Sequence, residues 1–231
     1  MNEVLRQEKK FLINLPQVYD LGYKLSQVMR EDVHNEADGY LIRSLYFDTL
    51  EDRDFQEKED GVEVRRKIRL RCYGPNSDFA LLEMKQKQGS NQKKRSLRMS
   101  RADAQQLIGG ELGVLLKYEE PFAAECYALM QMHCYRPKAV VEYRRRAFVA
   151  KENKIRVTLD HHIVATESCF DIFSPELMQN QALDPYLAVL EVKYNGFLLS
   201  YIKDIVRHCN EFETSVSKYS LSRTISKHVV F

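Results

Sequence analysis

Charged and apolar residues alternate along one short segment after another in this chain, and that period of two constrains its fold more than any other feature. Successive side chains of an extended strand point to opposite faces of a sheet. Arg65, Lys67, Arg69 and Arg71 therefore project from one side of a strand over 62–73, with Val62, Val64, Ile68, Leu70 and Cys72 on the other. Four like charges in a row repel one another, so the row is tolerable when something strongly negative covers it. The alternation recurs. Arg6, Glu8 and Lys10 oppose Leu5, Phe11 and Ile13; Glu83, Lys85 and Lys87 oppose Leu82 and Met84. Lys154, Arg156, Thr158 and Asp160 oppose Ile155, Val157 and Leu159, and Glu191 and Lys193 oppose Leu190, Val192 and Tyr194. Lys93 and Arg95 repeat the pattern weakly. One such strand is an ordinary solvent face. Five in one chain predict an antiparallel barrel or tunnel with a polar lumen.

Between the strands lie helical patterns. An i, i+3/i+4, i+7 stripe of Val18, Leu21, Leu25, Val28 and Met29 predicts a helix from Pro16 to about Glu31. A strand is expected over 40–47, a partly helical connection over 50–60, and a turn at 74–78 leading into a strand over 79–87. A loop over 88–92 enters a strand over 93–99. Ser100 with Asp103 marks a helix start for 101–108, and Pro121 opens another to about His133. Strands follow over 138–150, 154–162 and 187–194, then an amphipathic helix near 197–212 and a short helix or turn over 215–226. With no low-complexity linker or composition break, the 231 residues read as one α+β domain of seven or eight mainly antiparallel strands.

A hydrophobic fraction of 44% and a charged fraction of 29% belong to a soluble globular chain. No apolar run reaches the length needed to cross a bilayer, and the N-terminal segment lacks the pattern of a secretory signal. Five widely spaced cysteines without a CxxC pair argue against a disulfide framework or a zinc site and fit a cytoplasmic protein. P-loop, Rossmann and nucleophile-elbow motifs are missing from the sequence. Basic and acidic residues, 35 and 33, nearly cancel, and there is no RNP-type aromatic pattern, so nucleic acid is not the expected partner.

The spacing Glu-x-Lys occurs at Glu8/Lys10, Glu83/Lys85 and Glu191/Lys193. Each pair sets a carboxylate and an ammonium about 7 Å apart on one face. Glutamate oxygens suit Mg²⁺ or Mn²⁺, and lysine and arginine clamp phosphate oxygens. A metal beside a basic sleeve is the arrangement of a phosphoryl-transfer site. Within Arg144-Arg145-Arg146, alternation leaves open whether Arg145, sharing a face with Tyr143, or the outer pair points to such a site.

The ordered motifs Arg6-x-Glu-x-Lys-Phe11, Ser44-Leu-Tyr-Phe-Asp-Thr49, Lys67-Ile-Arg-Leu-Arg-Cys-Tyr-Gly74, Leu82-Glu-Met-Lys85, Tyr143-Arg-Arg-Arg-Ala-Phe148, Ile155-Arg-Val-Thr-Leu-Asp160, Leu190-Glu-Val-Lys193 and Ser217-Lys-Tyr219 resemble those of VTC-type domains. These are the polyphosphate polymerase domains of the vacuolar transporter chaperone and its bacterial stand-alone relatives. The resemblance runs over about residues 3–225. It implies the closed antiparallel β-tunnel of the triphosphate tunnel metalloenzymes, related to the CYTH proteins, with helices packed outside. It further implies that ATP binds there with Mn²⁺ or Mg²⁺ and that its γ-phosphate passes to a growing inorganic polyphosphate chain.

By position, the resemblance gives the phosphate path to Lys10, Arg69, Arg71, Lys85, Arg145, Lys193 and Lys218. Glu191 becomes the leading metal ligand, supported by Glu8 and Glu83. Lys67, Lys87, Lys93 and Arg156 are further substrate contacts. The resemblance favours Arg145 over its neighbours. Two departures bear on activity. Arg6 stands where the CYTH phosphatases carry a first glutamate, and Ser215 stands where the eukaryotic polymerases carry a second lysine. Loss of that lysine leaves open slow hydrolysis of a triphosphate or simple binding of polyphosphate or nucleotide. The SPX domain and membrane helices of the eukaryotic proteins are not in the sequence, so any membrane partner is expected to be a separate protein.

Overall fold

The computed structural model describes residues 6–89, 91–207, 209, 213–214 and 216–224. Leu5 and Ser215 lie outside the described residues. The chain forms a mixed α+β fold around a large antiparallel sheet with helices. In chain order the elements are β1 (Arg6–Asn14), α1 (Leu15–Val28), β2 (Arg30–Glu31), β3 (Tyr40–Asp48), α2 (Arg53–Glu59), β4 (Val64–Cys72), β5 (Phe79–Gln88) and β6 (Asn91–Ser100). Then come α3 (Arg101–Ile108), α4 (Pro121–Met132), β7 (Arg136–Val149), β8 (Arg156–Thr166), β9 (Asn180–Gln181), β10 (Leu187–Asn195), α5 (Ser200–Val206) and α6 (Lys218–Thr224). Short 3₁₀ turns lie at Leu112–Lys117 and Glu152–Lys154.

The main strand order is β1-β10-β8-β7-β3-β4-β5-β6, with β2 on β7 and β9 on β8. No pairing joins the two end strands among the described residues, so the hydrogen-bonded sheet is open where a closed tunnel was expected. The chain divides into two compact units. One comprises Met1–Leu41, Tyr143–Val164 and Gln181–Ser217; the other comprises Ile42–Glu142, Ala165–Asn180 and Lys218–Phe231. Each has its own core. In the first, Phe11, Ile13, Leu21, Leu25, Phe148, Val157, Leu159, Leu190 and Val192 pack together. In the second, Phe47, Ile68, Leu70, Leu82, Met84, Leu97, Met99, Met130 and Phe173 do so. Because each core takes alternate residues of its strands, the intervening charged residues share the opposite face.

Local chemistry sets the element ends. Asn14 caps α1: its side chain accepts from the Gln17 amide, while Gln17 accepts from the Asn14 amide, each at 2.9 Å. The helix stops at Val28 rather than near Glu31, because Met29 turns extended and Arg30 and Glu31 pair with Val149 and Phe148 of β7. Ser100 accepts from the Asp103 amide and caps α3 over the expected 101–108. Val62 and Val64 do not join Ile68, Leu70 and Cys72 in the core; they are exposed, where β4 is only beginning. Of the amphipathic helix expected near 197–212, α5 covers Ser200–Val206, and residues 208 and 210–212 lie outside the described ones.

Candidate functional site

In the second unit the strand register builds a basic face. Across β3, β4, β5 and β6 one level reads Ser44, Arg71, Leu81, Arg98, and the next reads Tyr46, Arg69, Glu83, Ser96. The level after it reads Lys67, Lys85, Lys94 across β4, β5 and β6, followed by Arg65, Lys87 and Gln92. Three lysines thus stand side by side on three adjacent strands, next to two arginines. Like charges placed directly opposite destabilise a sheet, and a single carboxylate is set among them. Glu83 is 2% exposed and is held by Arg69 Nε at 2.7 Å, Arg71 Nη2 at 2.9 Å and Lys94 Nζ at 2.5 Å. Burial works against its ionisation, but these three cations overcome it and hold the carboxyl at about 2. Two buried polar atoms on this face have no partner among the described residues: Ser44 Oγ and, directly across on β4, Arg71 Nε.

One end of this face is bounded by α6. Tyr219, next to Lys218, is 1% exposed and donates its hydroxyl to Asp48 Oδ2 at 2.7 Å. Its ring stacks on Tyr46 at 4.8 Å between centroids, and Lys67 Nζ lies 5.8 Å above it. Asp48 also accepts from the amides of Thr49, Asp54 and Phe55, so it caps α2 and receives α6 at once.

In the first unit the polar face mixes both signs. Across β1, β10 and β8 one level reads Glu8, Lys193, Arg156 and the next Lys10, Glu191, Thr158. Glu8 and Glu191 are thus one diagonal step apart. Lys10 pairs with Glu8 at 3.3 Å and donates to the Val216 carbonyl at 3.3 Å; Lys193 pairs closely with Glu191. Arg145 grips fully buried Asp160 through Nε at 2.6 Å and Nη2 at 2.7 Å, with Glu191 at 4.0 Å. Burial disfavours the Arg145 charge, but Asp160 and then Glu191 hold its pKa well above the ordinary arginine range. Arg156 donates to Asp32 at 2.9 Å and Tyr40 at 3.2 Å. Thr158 Oγ1 is buried beside Glu191 without a partner among the described residues.

The structure separates the three consecutive arginines. Arg145 is buried on the face of Tyr143, Arg144 is exposed, and Arg146 pairs with Glu31 and lies over Phe148. Lys93 falls on the side of β6 that carries Leu97 and Met99 into the core, while Lys94 stands with Glu83. The parity of Leu97 and Met99 was the signal in the sequence for Lys94. Asp160 stands in the sequence in a row of charges and at the end of a family motif, and neither position marks it as the partner of Arg145. Asp48 and Ser44 lie inside the motif Ser44–Thr49, and neither a cap nor an unsatisfied hydroxyl shows in periodicity.

Among the described residues no group of three or more His, Cys, Asp or Glu is gathered to hold a metal ion. A Mg²⁺-type ion needs fewer, since it is commonly bound by one or two carboxylates together with substrate phosphates and water. Glu8 and Glu191, on neighbouring strands of one face and each paired with a lysine, supply the one or two carboxylates of that donor set. Both Glu83 oxygens are engaged by cations.

A family model described as the VTC domain matches residues 5–226. The chain belongs to the VTC domain family. No curated protein sequence matches this VTC domain. Among solved structures it is similar to a Bacillus halodurans protein provisionally named an adenylate cyclase, at 11% identity and a TM-score of 0.53, covering 94% of this chain and 96% of that one. A Pyrococcus horikoshii protein matches at 11% identity and a TM-score of 0.46, over 96% and 99% of the two chains. The Bacillus likeness shows the fold of the VTC domain. No helix among its described residues is long and apolar enough to cross a membrane.

Proposed function

We propose that this VTC domain is a metal-dependent phosphotransferase that binds ATP through its triphosphate and passes the γ-phosphate to a growing polyphosphate chain. The observation that carries the reading is the register of Lys67, Lys85 and Lys94 beside Arg69 and Arg71. A face so uniformly positive raises the local concentration of polyanions and offers each phosphate a charge-assisted donor. Membership of the VTC family supports polyphosphate as the polyanion. The partnerless Ser44 Oγ and Arg71 Nε add donors suited to phosphate oxygens.

Residue roles follow from charge and burial. Arg69 and Arg71, steered by Glu83, grip phosphate oxygens of the bound chain; Lys85, Lys87 and Lys94 extend the grip along the strands, with Lys93 on the other side of β6. Lys10, Lys193 and Arg145 oppose the charge that spreads over the transferred phosphoryl group. Lys218 stands on α6 at the end of the basic face. Glu191 and Glu8 would hold Mn²⁺ or Mg²⁺, which supplies neutralising positive charge to the phosphate oxygens. Glu83 acts chiefly by orienting its arginines. Attack by the terminal phosphate of the acceptor needs no protein nucleophile. Ser215, in place of the second lysine of the eukaryotic polymerases, favours a second reading in which water is the acceptor and the protein is a triphosphatase.

Turnover of ATP with Mn²⁺ by Glu191→Ala tests the metal assignment. The expected outcome is a loss of about 100-fold or more with an unchanged circular dichroism spectrum. Equal turnover in the variant would overturn it.

A further inference from the structure

We propose that Asp48 and Tyr219 are positioning residues: their hydrogen bond fixes Lys218 at the end of the lysine row so that one bound polyphosphate meets both. This rests on the triphosphate-binding reading above and names a device within it. Asp48 and Tyr219 are separated by 171 positions in sequence, yet the phenol donates to Asp48 Oδ2 at 2.7 Å with both groups buried. The carboxylate is already committed to the Thr49 amide and to two amides in the first turn of α2, those of Asp54 and Phe55, so it cannot turn away without uncapping that helix. The Tyr219 ring is held on two more sides, stacked on Tyr46 and edge-on to Phe55 at 6.0 Å.

Tyr46 lies in register with Arg69, and Lys67 stands over the Tyr219 ring. The aromatic contact therefore sits against the basic face itself. A second tie, from Arg223 to Asp52 and Glu167, holds the far end of α6. The phenol bond holds the other end, the one that carries Lys218. Its position beside Lys218 is what suits it to setting the direction of that lysine. Burial and then Asp48 push the phenol pKa up, so it stays a donor over the whole working pH range. Neither residue touches phosphate, and both act through Lys218.

A double-mutant cycle tests the device, with tripolyphosphate binding measured by calorimetry in wild type, Tyr219→Phe, Lys218→Ala and the double variant. Removal of the hydroxyl is expected to weaken binding about fivefold when Lys218 is present and less than twofold when it is absent, the coupling typical of residues acting as a unit. Equal weakening in both backgrounds, or none in either, would overturn the proposal and leave the triphosphate reading standing. Failure of the wild type to bind tripolyphosphate would remove both. If Tyr219→Phe does not fold, Asp48→Asn, which keeps Oδ1 for the Thr49 and Asp54 amides and removes the carboxylate oxygen that accepts the phenol, replaces it in the same cycle with the same expected pattern.

Discussion

Glu83 and Asp54 are both buried carboxyls of the second unit, and their surroundings drive them in opposite directions. Glu83 is held near 2 by Arg69, Arg71 and Lys94 against the cost of burial. Its folded pKa lies below its unfolded one, so its contribution is complete above about 4.5 and disappears as pH falls through about 2. Urea unfolding of Glu83→Gln should show a loss of about 2–3 kcal/mol at pH 7, allowing for the partly exposed Lys94, that shrinks toward zero near pH 2. Asp54 receives the Tyr135 hydroxyl at 2.9 and 3.0 Å. Burial first, and then neighbouring Asp48, raise it to about 7. The folded state keeps a proton that the unfolded chain gives up above 3.8, so this residue makes stability fall as pH rises from about 4 to 7. Asp54→Asn should flatten that slope and unfold at higher urea than wild type at pH 8; an unchanged slope would show that Asp54 ionises normally.

At the scale of the element, period-two patterning made much of this protein legible. The charged faces of β1, β4, β5, β8 and β10 follow from alternation alone, because each strand buries its other side in one of two cores. The cap of α3 was equally readable from Ser100 and Asp103. Strand pairing was not. Arg30 and Glu31 left the helical stripe for an edge pairing with β7, a partner more than 100 positions away that no local pattern encodes. In β6 the consecutive Lys93 and Lys94 gave no parity of their own; Leu97 and Met99 decide it by pointing into the core. Tripolyphosphate binding should accordingly weaken severalfold in Lys94→Ala and stay within error of wild type in Lys93→Ala. The reverse ranking would mean that β6 presents its other face to the ligand.

Over the whole molecule, the two units carry different electrostatics. The second presents eight cations around one glutamate: Arg65, Lys67, Arg69, Arg71, Lys85, Lys87, Lys94 and Arg98. The first interleaves Glu8, Glu191 and Asp160 with Lys10, Lys193, Arg145 and Arg156. A net formal charge of +2 conceals both. The sequence signalled the basic face through the row Arg65, Lys67, Arg69 and Arg71, while closure of the sheet is a property of end-strand pairing that no local spacing carries. Phosphorus NMR of the products formed from ATP and Mn²⁺ tests the central claim most directly. The account predicts ADP together with the mid-chain phosphate signal of long polyphosphate. ADP with orthophosphate alone, or no turnover of ATP, would contradict it.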